Sequence, residues 1–371
     1  MKALFWASTA FVLFTYLGYP AWLCLRARWK ALPVRRAAIS PSISVIVAAH
    51  NEAGALPAKL ANLEELDYPP DRMEVVVASD GSSDGTNAIL EDWSGPRRKA
   101  IILARNQGKA AALNHAVQAA GGEILLFTDA RQRIAADALR VLAESFADPA
   151  VGCVSGELIL EGSGRDAASG GLGLYWQIEK SIRRWESASG SVVGVTGALY
   201  AARKDLVPLL PPGTILDDVF IPLNAARQGK RILFDGRALS YDRLADDRRE
   251  FWRKVRTLTG NYQLLRLAPW LLTTSNGIRF RFVCHKLLRL LVPFALLGVL
   301  VSSLFLTAPI YRAALAGLVA LGLGAVLSAF HIRAGVVSRL GSACSAFLVL
   351  NAAAALAFLY FVTGRRVAWT R

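Results

Sequence analysis

Asp80 and Asp84 stand in VVASDGSSDGT (Val76 to Thr86), a β-branched run that ends in a cluster of Gly, Ser and Asp. The pattern predicts a buried strand opening into a tight turn that presents two carboxylates. Ligands of open α/β sheets bind at the carboxyl ends of strands, so this turn is a candidate site. The competing reading is a helix N-terminus capped by Asp84 or Thr86. Other predicted strands end in the same way. His50, Asn51 and Glu52 follow the first strand, and Asp129 follows the fourth. Carboxylates so placed can accept hydrogen bonds from a base or ribose, or hold a divalent cation against phosphate oxygens. Lys109, directly after Gly108, can bring positive charge to a phosphate; its plainer reading is a solvated helix lysine. Neither the G-x-G-x-x-G dinucleotide signature after the first strand nor the Walker loop is present.

The elements that must position these residues read as strands at 42–48, 73–78, 100–103 and 123–128, with helices at about 55–66 and 86–93. Strand and helix alternate from 42 to about 147, which predicts parallel strands with helices on both faces. No internal repeat or low-complexity segment interrupts them. Further on, LDDV places Asp217 and Asp218 just before a helical stretch. Adjacent carboxylates raise one another's pKa, which suits a general base. The pair also reads as a helix start with Asp217 as cap.

The chain has 371 residues, is 54% hydrophobic and carries a net charge of +15. Apolar and charged character are segregated along it. Residues 1–30 read as an N-terminal membrane anchor, 40–275 as a domain of ordinary soluble composition, and 280–371 as a membrane region. The first apolar run, 3–25, is long enough to span a bilayer. It ends in Trp22, Leu23, Cys24 and Leu25 rather than small residues, which favours an uncleaved anchor over a signal peptide. Arg26, Arg28, Lys30, Arg35 and Arg36 then place its C-terminal side, and the domain behind it, in the cytoplasm. Three further runs occupy about 287–308, 311–331 and 342–363, preceded by Arg279, Arg281, Lys286 and Arg289. Three crossings put the C-terminus outside, whereas Arg365, Arg366 and Arg371 prefer the inside; a re-entrant or flat run is the alternative. The expectation is a multi-pass protein of the inner or plasma membrane.

The basic excess lies beside apolar segments, which favours anionic lipid headgroups over nucleic acid. No zinc spacing or RNA-binding motif supports nucleic acid. Cys24, Cys153, Cys284 and Cys344 are far apart and read as free structural thiols. Tyr175, Ile178, Ile182 and Trp185 form one helical stripe, and Phe251, Val255, Leu258, Tyr262 and Leu265 another. Both suit either a membrane-interface position or packing on the domain.

SVIVAAHNE, VVASDGSSDGT, RNQGKAAALN and FTDAR, in this order, resemble the membrane-associated family 2 glycosyltransferases of cellulose, poly-N-acetylglucosamine and hyaluronan synthase type. The resemblance runs from about 40 to 265 and implies an inverting enzyme with an α/β GT-A nucleotide-sugar fold flanked by transmembrane helices. It implies a UDP-sugar donor, with Glu52 and Asp80 at the uracil and ribose. Asp129 takes the metal-binding position, for Mg2+ or Mn2+. It also implies a lipid-linked or polysaccharide acceptor, contact with membrane lipids, and partner subunits of polysaccharide synthesis. Asp218 matches the base, and Gly197 in SGSVVGVTGALYAARK, a segment expected to form strand, would allow close approach at the acceptor site.

Two positions depart from the family pattern. Arg131 stands where the second acid of D-x-D is usual, and an arginine cannot ligate a metal. Either one carboxylate plus phosphate oxygens suffices, or Arg131 itself neutralises diphosphate, or it pairs with a nearby carboxylate. Polymerising members carry Q-x-x-R-W; here Arg256 matches and could support the leaving group, but Gln and Trp are missing. Trp252 and Arg253 lie close by as acceptor-side substitutes. Rival readings are single-sugar addition to a lipid, a scaffold that binds nucleotide sugar without turnover, and a transporter, the last disfavoured by few intramembrane charges.

Overall fold

The computed structural model describes residues 1–161, 171–243, 247–329 and 335–365. The chain enters on helix α1 (Lys2–Trp29). It then alternates through β1 (Ile43–Ala49), α2 (Leu56–Glu64), β2 (Met73–Asp80), α3 (Thr86–Trp93), β3 (Arg98–Leu103), α4 (Lys109–Ala119) and β4 (Ile124–Phe127). These four strands are parallel, as expected, in the order β3-β2-β1-β4. Chain order runs outward from β1 to β3, then jumps back across β1 to β4. That reversal opens a crevice between the loops after β1 and β4, the usual seat of a ligand in such sheets.

Beyond β4 the sheet turns mixed, which the alternating pattern did not foretell. The later elements are β5 (Arg133–Ile134), α5 (Ala138–Glu144), β6 (Val151–Glu161), α6 (Gly171–Ala188), β7 (Tyr200–Arg203), α7 (Asp217–Arg227) and β8 (Arg231–Arg243). β7 runs antiparallel to β4 and β6, while β6 and β8 pair in parallel. Of the segment 189–204, only Tyr200–Arg203 is strand. The residues before it are irregular and are held instead by Val192 N–H on the Ile232 carbonyl (2.9 Å) and Val195 N–H on the Asp218 carbonyl (3.1 Å).

Alternation along each strand divides the core between the two sheet faces. Val45, Val47, Val75 and Val77 pack with Leu56, Leu60 and Leu63 of α2 and Leu139 and Leu142 of α5. Ile46, Val76 and Ala78 pack on the other face with Ala112, Leu113 and Ala116 of α4 and Ile221 of α7.

Helices α8 (Asp247–Leu267), α9 (Arg279–Phe305), α10 (Pro309–Ala329) and α11 (Gly335–Val362) complete the chain. Among the described residues four helices, α1 and α9 to α11, are long and apolar enough to cross a membrane. The α8 stripe does not stand free: Phe251, Val255, Leu258 and Tyr262 pack with Leu290 of α9 and Ala353 and Ala357 of α11. On α6, Ile182 is buried with Tyr19, Leu23 and Cys284, while Ile178 is exposed; the Tyr175 side chain, like Arg366 and Arg371, lies outside the described residues.

Buried charge ties α6 to the membrane helices. His285 stands between Glu186 (2.9 Å) and Glu179 (2.7 Å), Arg289 pairs with Glu179 (2.7 Å), and Tyr19 Oη donates to Glu186 (2.6 Å). Burial alone would push the Glu179 carboxyl up; Arg289 and His285 hold it well below its ordinary value. Losing one partner of such a buried pair costs about 3–5 kcal/mol, so this network fixes the domain against the helices.

Candidate active site

The turns after β1 and β2 form one laced rim. Asn51 adopts left-handed backbone (φ 55°), and its Oδ1 accepts the Ser83 N–H at 2.8 Å. Glu52 N–H donates to Thr86 Oγ1 at 2.9 Å, and His50 Nδ1 sits 2.7 Å from the Asp80 carbonyl. Asp84 closes the rim: its Oδ1 accepts the Thr86 N–H (3.0 Å) and its Oδ2 the Ala53 N–H (3.1 Å). It thus serves the helix start and the neighbouring turn together. Gly81 needs its lack of side chain, since at φ 60° a Cβ would fall 2.2 Å from the Asn106 nitrogen.

That close approach brings the loop 104–108 onto Asp80. The buried Asp80 carboxylate accepts N–H bonds from Gln107 (2.7 Å) and Gly108 (2.8 Å). The resemblance placed Asp80 at the nucleotide; here both its oxygens hold the loop that delivers Lys109. Lys109 Nζ lies 2.9 Å from Asp129 Oδ1 and 3.4 Å from Asp217 Oδ1. Burial opposes its charge, but Asp129 and Asp217 hold its pKa above the ordinary lysine value. The solvated reading of Lys109 is therefore set aside.

Asp129 and Arg131 occupy the loop after β4, across the crevice. Arg131 grips Glu52 with Nε 3.0 Å from both carboxylate oxygens and Nη2 at 2.9 Å from Oε1. The pairing of Arg131 with a carboxylate, one of its readings, is present. The partner is the very residue matched to the nucleotide base.

Asp217 and Asp218 open α7, facing Asp129 across residue 197. A Cβ at Gly197 would lie 3.5 Å from Asp218 Oδ2 and 3.7 Å from Asp129 Oδ2, so any larger side chain would stand between the two carboxylates. Burial, then the Asp217 charge, push Asp218 up to about 6, against Lys109 and Lys286. Arg256 of α8 joins the same group: burial lowers its pKa, and Asp217, Asp218 and Asp129 oppose that. The structure thus brings together Lys109, Asp129, Asp217, Asp218, Gly197 and Arg256. It places Trp252 elsewhere, edge-on to Phe251 (5.7 Å) and Tyr360 (6.2 Å) against the membrane helices. Arg253 pairs with Glu250 at 2.7 Å.

Two residues were not singled out in the sequence. Lys59, buried under the 128–132 loop, donates to Thr128 Oγ1 (2.9 Å) and the Gln132 carbonyl (2.7 Å); burial pushes it down to about 7, against Asp129. Its signal was a lysine on the Leu56, Leu60, Leu63 face of a helix. Lys286 had been read only as a topology marker, yet its Nζ lies 3.7 Å from where a Gly194 Cβ would stand, beside the segment that bonds Asp218.

Among the described residues no cluster of three His, Cys, Asp or Glu could hold a metal alone. The residues do fit Mg2+ or Mn2+ in a narrower way. Asp129 Oδ1 is taken by Lys109, while Oδ2 accepts no hydrogen bond from the described residues and its side chain is 40% exposed. One such carboxylate plus substrate phosphates is a common way to bind Mg2+.

The profile for Glycosyl transferase family 2 matches residues 44–207. An N-acetylglucosaminyltransferase of Rhizobium leguminosarum bv. trifolii is 34% identical over 124 residues, which cover 32% of this chain and 68% of that protein. This chain belongs to glycosyl transferase family 2. The family 2 enzyme is also 26% identical, over 234 residues, to a poly-beta-1,6-N-acetyl-D-glucosamine synthase of Staphylococcus epidermidis. That match covers 62% of this chain but only 56% of the relative, so the chain spans about half the length of that protein. A mannosyltransferase from Pyrobaculum calidifontis, solved with GDP-Man and Mn2+, shares the fold with a TM-score of 0.75 and 23% identity, over 98% of this chain and 100% of that one. The chain carries a family 2 glycosyltransferase domain with a GT-A sheet, and the membrane-capable helices flank it.

Proposed function

We propose that this glycosyltransferase is anchored in the inner or plasma membrane with residues 40–275 in the cytoplasm. In this reading it transfers a sugar, with inversion, from a UDP-linked donor to a lipid-linked or polysaccharide acceptor. The observation that carries the reading is the placement of Asp218 across Gly197 from Asp129, with Lys109 and Arg256 around them. A base and a cationic diphosphate seat then face each other over a gap of one side chain.

Asp218 takes the proton of the acceptor hydroxyl as its oxygen attacks the anomeric carbon. The bond from that carbon to the diphosphate oxygen breaks, and the nucleotide leaves with the electron pair. Lys109 and Arg256 stabilise the charge that develops there. A divalent ion at Asp129 would add Lewis-acid stabilisation of the same diphosphate. Glu52, steered by Arg131, lines the nucleotide end of the crevice, with His50 and Asn51 in the rim beside it. Asp80 and Asp84 fix the turns that shape this end. Gly197 keeps the path between donor and acceptor open.

Names among the relatives support an N-acetylglucosamine-type sugar, and the basic flanks of the helices support contact with anionic lipid. Partner subunits of polysaccharide synthesis are part of the same reading. With Trp252 packed against membrane helices, the missing Q-x-x-R-W tryptophan favours single addition over polymerisation. Nucleotide release from purified protein in lipid, screened across UDP- and GDP-sugars, tests the proposal. Release with a UDP-sugar is expected. Binding of nucleotide sugar without release from any donor would favour the scaffold reading.

A further inference from the structure

The loop that carries Asp129 and Arg131 is held from within the core by two polar side chains of α2. Lys59 and Asn62 are buried on that helix together with Leu56, Leu60 and Leu63. Lys59 Nζ donates to Thr128 Oγ1 (2.9 Å) and to the Gln132 carbonyl (2.7 Å). Asn62 Nδ2 donates to the Ile134 carbonyl (2.9 Å), and its Oδ1 accepts the Ile134 N–H (2.8 Å). Thr128 carries the connection further. Its N–H pairs with the Ile46 carbonyl (3.2 Å), which ties its backbone to β1. Its hydroxyl donates to the Ala198 carbonyl (2.8 Å), 70 positions later in the chain. We propose that the hydrogen-bonded chain Lys59–Thr128–Ala198 is a strut that sets the gap between Asp129 and Asp218, with Lys59 and Thr128 as positioning residues for transfer. The proposal rests on the glycosyl-transfer reading above and adds what holds the donor and acceptor sides at one spacing.

Three observations lead there. The first is position. Ala198 adjoins Gly197, where a Cβ would lie 3.7 Å from Asp129 Oδ2 and 3.5 Å from Asp218 Oδ2. One end of the strut therefore holds the residue before Asp129, and the other holds the residue after Gly197. The second is direction. A lysine ammonium can only donate, and a threonine hydroxyl has one proton. With Lys59 donating to Thr128, that proton is committed to Ala198, so the chain has a single arrangement. The third is cost. Lys59 is 3% exposed and makes no ion pair among the described residues. A leucine would continue the apolar face without giving up the hydration of an amine, so core packing does not account for a lysine here. What the amine supplies is two donors to the two ends of the 128–132 loop, delivered from the side of the core. Reacting atoms must stand about 3–3.5 Å apart, so the spacing that this loop keeps bears directly on transfer.

The test uses membranes that contain the full chain and its endogenous acceptor, supplied in parallel with radiolabelled UDP-N-acetylglucosamine, UDP-glucose and GDP-mannose. The readouts are label transferred to acceptor, label released to water as free sugar, and calorimetric affinity of the purified protein for the nucleotide of the donor consumed. Thr128→Val keeps the shape and removes the hydroxyl; Lys59→Met keeps the stem and removes the amine. Each should lower transfer at least about tenfold and raise the share of free sugar, since a misplacement of about 1 Å can cost about 10²-fold. Nucleotide affinity should stay within about twofold of the wild type, which a collapsed fold would not allow. Thr128→Ser keeps the hydroxyl and should recover most of the transfer. The double variant Thr128→Val with Lys59→Met should transfer about as well as the poorer single variant, because both break one chain. Wild-type transfer in both single variants overturns the strut. So does Thr128→Ser as impaired as Thr128→Val, a double variant in which the two losses multiply, or nucleotide affinity that falls in step with transfer. If the wild type consumes none of the three donors, the glycosyl-transfer reading fails first and the strut falls with it.

Discussion

Protonation of Asp218 should set the acid limit of turnover. Burial and the Asp217 charge raise its pKa from 3.8 to about 6, with Lys109 and Lys286 opposing. A base must be ionised to accept a proton. With this pKa about nine-tenths is ionised at pH 7 and about one-tenth at pH 5, so kcat/KM should fall about tenfold between them. Asp217→Asn removes the like charge and should move the acid limb to lower pH. The sign for stability follows from the same shift. Below pH 3.8 the group is protonated folded or unfolded and contributes nothing. As pH rises toward about 6 the unfolded chain releases the proton first, so stability is lost through that window, and the full cost is present at pH 7. That cost is about 1–3 kcal/mol. Asp218→Asn should therefore raise the Tm at pH 7, by an increment that vanishes near pH 4, while turnover falls at least about 10²-fold. The assay is nucleotide release at donor concentrations well below KM from pH 4.5 to 8.5, paired with calorimetric melting of both variants. A flat profile from pH 5 to 8, or Asp218→Asn with more than half of wild-type turnover, would refute the assignment of the base.

Asp80→Ala frees the Gln107 and Gly108 N–H groups and loosens the loop that delivers Lys109, so UDP affinity by calorimetry should drop by about 1–3 kcal/mol; unchanged affinity would remove Asp80 from the site. Chelation by EDTA should abolish turnover, and Mg2+ or Mn2+ should restore it; full activity in chelator would leave the diphosphate to Lys109 and Arg256. Gly197→Leu should fill the space between Asp129 and Asp218 and cut transfer at least about tenfold with the fold intact, as judged by melting. A cysteine introduced at exposed Glu65 should resist membrane-impermeant reagents in intact cells; labelling from outside would reverse the orientation.

Which parts were legible in the sequence follows from the range of the forces involved. The parallel half of the sheet was readable because each strand is a local apolar run punctuated by its own turn. β7 was not, since its four residues carry little periodicity and pair with β4, some 75 positions earlier. The same holds at the site. Asp217 and Asp218 were legible because their mutual repulsion is local. The partners of Asp80, Arg131 and Trp252 were not. A buried carboxylate must find donors, and for Asp80 these come from a loop 27 residues downstream. Arg131 looked like a lost metal ligand until the crevice brought Glu52, 79 residues away, within 3.0 Å. Its pairing changes what the substitution means. In the proposed mechanism, an arginine already paired with Glu52 orients that carboxylate for the nucleotide and leaves the diphosphate to Lys109 and Arg256, which a divalent ion at Asp129 would join. In the same mechanism the departure from D-x-D places a neutral Arg131–Glu52 pair at the recognition end of the crevice, while Asp218, the proposed base, faces a diphosphate seat whose cations are Lys109 and Arg256.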